Sequence, residues 1–190
     1  MLSTKGFIRE AALVALAIVF PLVSGCSDDS APRNVVTVTS INLNDALSSD
    51  VLNNGADRTP GTSDDFVYED RVTVQLLSVA HDGALETGSG TPYDYVFFER
   101  YTIEYEADEE IPTYSGALGW TVTSRIPFTG ALTVVPAGLK SRAPLIGLVQ
   151  GGEISAAAKI TIYGHESTSN APVKIEARLP VHFANWVDLN

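Results

Sequence analysis

One cysteine in 190 residues excludes a disulfide framework and every Cys-rich metal or redox motif. Basic residues are scarce too. Twelve Lys and Arg face 23 Asp and Glu, a formal charge of −11, so the chain lacks the basic face that nucleic-acid phosphates require. No Gly-x-Ser-x-Gly elbow, Ser-x-x-Lys pair, P-loop or dinucleotide fingerprint occurs. His81, His165 and His182 each stand without a second His two or four residues away, so no zinc motif is written in the sequence, and all three are expected at the surface. Hydrophobic residues still make up 45% of the chain, too apolar for a disordered acidic tail. This length suits one ordinary domain, able to bury about 70% of its unfolded surface.

The longest apolar run lies near the N-terminus. Lys5 and Arg9 precede the stretch from Ala11 to Val23, which only Pro21 interrupts. As a helix it spans about 20 Å, short of the roughly 30 Å of a bilayer core, so it reads as a secretory signal rather than a membrane span. It ends in Leu22-Val23-Ser24-Gly25-Cys26, small residues directly before the only Cys. This ending resembles the lipobox of bacterial lipoproteins. The resemblance implies that residues 1–25 are a signal peptide and that Cys26 is acylated, palmitate included, as the first mature residue. Ser27, in place of Asp, is similar to the enterobacterial sorting pattern for the outer membrane. The mature chain would carry 10 basic and 22 acidic residues. Residues 26–34, polar and containing Pro32, form a tether of about 30 Å, and 35–190 the domain.

Within that domain the hydrophobic period is two. Val173, Ile175, Ala177, Leu179, Val181 and Phe183 alternate with polar residues or proline, predicting a strand with one buried face, which Pro180 marks as an edge or a bend. Ile154 to Tyr163 alternates likewise, and Gly164 to Pro172 between them has the composition of a long hairpin tip. Val72 to Leu76 alternates, then changes phase at Leu77, which predicts a bulge near 75–78. Tyr95 to Glu106 and Trp120 to Phe128 supply further stripes. Val35 to Leu43, Leu132 to Val135 and Leu145 to Val149 are shorter strand candidates. Seven or eight strands and no convincing helix predict an all-β, antiparallel, immunoglobulin-like β-sandwich. Phe98-Glu99-Arg100-Tyr101, Tyr163-Gly164-His165 and Val181-His182-Phe183-Ala184-Asn185-Trp186 resemble stretches of uncharacterised bacterial lipoproteins with Ig-like domains, a resemblance that implies fold and not activity.

Chemistry is sought in three places. The segment 44–70 carries seven acids against Arg58 alone and is expected to be one long acidic loop. Asp57, Asp64 and Asp65, with Asn53, offer the hard oxygens that Ca²⁺ takes, in a stretch that looks like the Gly/Pro-rich calcium loops of bacterial surface proteins. The run Glu104 to Glu110 reads as a charged strand edge that discourages aggregation. Tyr93, Tyr95 and Phe98 crowd the aromatic strand; with the core on the other parity, Phe98 is expected to be exposed or to cover the other side, and exposed rings beside acids can stack on sugars or meet a protein. The leading expectation is a lipid-anchored envelope module that binds another protein in assembly or adhesion. A calcium- or polysaccharide-binding module is the alternative, and a hydrolase built from paired carboxylates stands third, with no residue to name as catalytic.

Overall fold

The computed structural model describes residues 32–80 and 95–186. The signal segment, Cys26, His81 and Tyr93 lie outside the described residues. Eight strands run β1 (Asn34–Ile41), β2 (Leu47–Asp50), β3 (Asp70–Ala80), β4 (Tyr95–Glu106), β5 (Tyr114–Thr123), β6 (Phe128–Val135), β7 (Glu153–Glu166) and β8 (Pro172–Ala184). They form two sheets, β1-β3-β6 and β2-β8-β7-β4-β5, antiparallel except where β2 lies parallel to β8. The protein is an all-β sandwich.

The alternation read from the sequence builds the interface between the sheets. Val173, Ile175, Leu179, Val181 and Phe183 of β8 are buried with Ile160 and Ile162 of β7, and they meet Val72, Val74 and Leu76 of β3 with Leu132 and Val134 of β6. Burying one Leu, Ile, Val or Phe side chain contributes about 1.5–3 kcal/mol, so this layer dominates the stability. Tyr101 and Tyr105 reach from β4 across the layer, and their hydroxyls donate to the carbonyls of Thr133 (2.9 Å) and Val134 (2.5 Å). Burial pushes both phenols' pKa up, so each stays a donor. Pro180 sits opposite Ala157 on one side, and β2 begins pairing only at Val181, so the proline occupies a free edge of β8.

Five expectations change. Residues 47–50 of the supposed loop pair with β8 as β2. Leu145–Gln150 is a 3-10 turn rather than a strand, set between Pro144 and the positive-φ pair Gly151 and Gly152. The hairpin tip shrinks to 167–171, because Gly164 and His165 belong to β7. A Cβ on Gly164 would collide with the Phe97 carbonyl, so a residue that reads as a turn signal is there for close strand approach. The phase shift expected in β3 does not occur: Val72, Val74, Leu76 and Ser78 are all buried, and the register instead slips on β1, between Val38 and Ser40. Finally, Phe98 is buried at 1% exposure while Phe97 faces out. A bulge between Phe98 and Arg100 flips the parity of β4, so Val96 and Phe98 point inward before it and Tyr101 and Ile103 after it.

Candidate functional site

The sandwich has two chemically different ends. At one, the chain enters the fold at Asn34, whose backbone N–H and side-chain amide donate to the buried Glu166 carboxylate at the close of β7 (2.5 and 3.2 Å). At the other, β8 finishes at Ala184 beside β2, and the segment after β2 is pinned to it: Val51 N–H donates to Ala184 O (3.0 Å) and Asn54 to Asn185 (3.2 Å). The length of β8, roughly 40 Å at about 3.4 Å per residue, separates them.

The acidic loop occupies the second end. An isolated antiparallel bridge between Asn53 and Phe66 closes residues 54–65. Inside it Gly55 and Gly61 hold positive φ of 63° and 92°, and a Cβ on Gly55 would strike Asp64. Arg58 forms no ion pair with these aspartates, and the loop is organised by its own amides. Asp64 Oδ2 accepts Ala56 N–H (2.9 Å), Asp65 Oδ2 accepts Gly61 N–H (2.6 Å), and Asp57 Oδ1 accepts Thr59 N–H (2.9 Å). The three carboxylates named in the sequence do converge: one oxygen from each of Asp57, Asp64 and Asp65 lies within 4.8 Å of the others. Asn53 turns its Oδ1 to the Gly55 N–H at 3.1 Å.

Thr62, which the sequence reading passed over, is the centre of this group. Its hydroxyl lies 2.7 Å from Asp64 Oδ1, 3.1 Å from Thr59 O, 3.2 Å from Asp65 Oδ1 and 3.3 Å from Asp57 Oδ1. One proton therefore serves four acceptors, and three oxygens face a lone pair. The Thr62 hydroxyl holds the Asp64 carboxyl below its ordinary value of 3.8; desolvation opposes this, and the Ala56 and Asp57 amides add to it. Every donor is a hard oxygen, the set that Ca²⁺ takes, with no nitrogen or sulfur for a softer metal.

Beside the loop lies a cleft of about 370 Å³, walled by Val51, Leu52, Val67, Ile146 and Val149, with Asp65 and Gln150 among its polar groups. Lys140 touches it too, yet that side chain is only 1% exposed, its Nζ donating to Asp50 O (2.6 Å) and pairing with Asp70 (2.8 Å), which also accepts from Ser49 (2.6 Å). Nothing in the sequence singled out Lys140, since a lone Lys is almost always exposed. Ile146 and Val149 were hidden inside the supposed strand 145–149.

The remaining expected sites disperse. Tyr95 is half-buried at the start of β4, and Phe98 belongs to the core. His165 and His182 sit on the outer face of the large sheet, beside Glu99 (3.7 Å) and Glu153 (3.3 Å) respectively. Among the described residues no helix is long and apolar enough to cross a membrane. Compared with protein-family models, curated proteins and solved structures, the chain matches none.

Proposed function

We propose that this chain is a lipid-anchored protein of the cell envelope whose sandwich acts by binding rather than catalysis, as an assembly or adhesion module. The observation that supports this reading is the polarity of the domain. A chain tethered through acylated Cys26 enters at Asn34, so the acidic loop and its cleft stand at the opposite end of the sandwich from the anchor and can reach up to about 40 Å further from the lipid surface. The strongly acidic composition gives anionic lipid no reason to draw that end back. Fractionation of cells tests the anchor: the native chain stays with the outer membrane and Cys26→Ser releases it, whereas retention of the Cys26→Ser chain on membranes refutes the anchor.

A second reading, favoured by the convergence of Asp57, Asp64 and Asp65 on the Thr62 hydroxyl, makes the loop a Ca²⁺ site. The three carboxylates, the hydroxyl and the Thr59 carbonyl would hold the ion, with water completing the six to eight oxygens it needs. Under this reading the ion is structural, fixing the loop end against which a partner docks.

A further inference from the structure

We infer that the cleft beside the acidic loop binds an extended segment of a partner protein in which a Lys or Arg neighbours an aliphatic side chain. This rests on the binding-module reading and names the surface and the chemistry that reading leaves open. Three separate stretches of chain wall the cleft: the exit of β2 at Val51 and Leu52, the loop's return at Asp65 and Val67, and the 3-10 turn at Ile146 and Val149. Its volume of about 370 Å³ lies at the small end of the range for ligand sites, suited to a few side chains rather than a large cofactor.

The lining decides the class of occupant. Its apolar walls are aliphatic, and the exposed rings of Phe66 and Tyr68 stack edge-on against each other outside it, so among the described residues the lining of the cleft offers no aromatic platform for a sugar. The charge decides the rest. Lys140 has its ammonium committed to Asp70 and the Asp50 carbonyl. Among the described residues Lys159 is paired with Glu104, Lys174 with Glu176, Arg178 with Glu106 and Arg71 with Glu69, while Arg58 in the loop and Arg142 beside Ser141 form no ion pair with Asp65. Asp65, on the cleft wall with Asp57 and Asp64 behind it, therefore presents negative charge beside an apolar hollow. Ile146 keeps 51% of its surface exposed at the mouth, an aliphatic side chain placed where a partner would cover it.

The test uses the soluble chain from residue 26 with Cys26→Ser, so its outcome does not depend on the lipid. The probe is the octapeptide acetyl-Gly-Ser-Lys-Leu-Val-Lys-Gly-Ser-amide. One control replaces both lysines with glutamate, and another replaces Leu and Val with serine. Backbone amide NMR should show saturable shifts at Leu52, Asp65, Val67, Ile146 and Val149. Both control peptides should bind about tenfold or more weakly. Ile146→Glu, at a position half exposed, and Asp65→Asn, which keeps an oxygen to accept the Gly61 N–H, should weaken the lysine peptide to a similar degree, and millimolar Ca²⁺ should compete with it. Equal binding of the glutamate peptide, shifts confined to another face, no saturation, tighter binding in Ca²⁺, or the same shifts produced by a dextran oligomer would each overturn the inference.

Discussion

The chain carries two acidic runs of similar composition, and the fold treats them in opposite ways. Glu104 and Glu106 stand on the outer face of the five-stranded sheet, where each meets a cation: Lys159 lies opposite Glu104 on β7 at 4.0 Å, and Arg178 reaches across β7 from β8 to grip Glu106 through two bonds of 2.7 and 2.9 Å. The neighbouring positions repeat the theme, with Lys174 on Glu176 (2.6 Å) and Arg100 stacked over Tyr163. In the loop 53–66, by contrast, three aspartates converge and take their hydrogen bonds from amide and hydroxyl protons, with no ion pair to Arg58. A strand places its charges at fixed spacing beside a neighbour that can answer them; a loop closed on itself can collect like charges only if its backbone N–H groups turn inward. The first arrangement makes a solvated face and the second a concentration of negative charge, so acidic content alone does not distinguish them.

A third arrangement sits at the same end as the loop and should give the largest response. Lys140 is buried with Asp70, and removing one partner of a buried pair leaves the other uncompensated at a cost of about 3–5 kcal/mol. Lys140→Met should lower stability by that order in urea denaturation, and Lys140→Met with Asp70→Leu should recover much of it. A loss below about 1 kcal/mol would place Lys140 with the solvated pairs of the sheet face, whose exposed bridges contribute at most about that much.

The loop itself comes next. If its three carboxylates hold calcium, the ion at a hundred times its dissociation constant adds about 2.7 kcal/mol, a rise of roughly 5–10 °C in melting temperature for a domain of this size. That rise should appear in millimolar Ca²⁺ against EDTA. It should vanish when Asp57, Asp64 and Asp65 are changed together to Asn, and survive Glu104→Gln with Glu106→Gln on the sheet face. No difference between Ca²⁺ and EDTA removes the ion-site reading and leaves the loop to positively charged groups of other molecules.

Much of the fold was legible because period-two alternation in β7 and β8 has one physical cause, a buried face opposite a wet one. What stayed hidden follows from contacts that leave no local pattern. The parity flip of β4 needs the bulge at Glu99, which exists because β5 and β7 register differently on either side of it. Four-residue β2, Leu-Ser-Ser-Asp, is strand only because β8 offers a free edge beyond Pro180. At the candidate site Asp57, Asp64 and Asp65 were legible from composition, the Gly and Pro punctuation supplying the turns. Thr62 was not, since a threonine among aspartates signals nothing until the chain closes on it. The cleft was invisible for the same reason, its walls coming from three stretches far apart in sequence.

The finest separation of the two acidic regions is in how their carboxyls titrate. Asp64 is held below the ordinary 3.8 chiefly by the Thr62 hydroxyl, and Glu176 below its ordinary 4.5 chiefly by its hydrogen bond to Lys174 and then by that ammonium's charge. A carboxyl whose folded pKa is depressed stabilises the fold above its unfolded value and loses that contribution as pH falls through the folded value. Both effects therefore fade in acid, Glu176 from about pH 4.5 downward and Asp64 from about pH 3.8 downward. Salt should tell them apart. At about 1 M NaCl the screening length is roughly 3 Å, so the charge component at Glu176 should shrink and its pKa climb toward the ordinary value, while Asp64, held by a neutral hydroxyl and amides, should move less. Thr62→Val should raise the Asp64 pKa and leave Glu176 where it is, read from side-chain carboxyl shifts in an NMR titration. If salt moved both equally and Thr62→Val moved neither, the loop would be a solvated charged surface like the sheet face, and the inward turn of its amides would carry no electrostatic consequence.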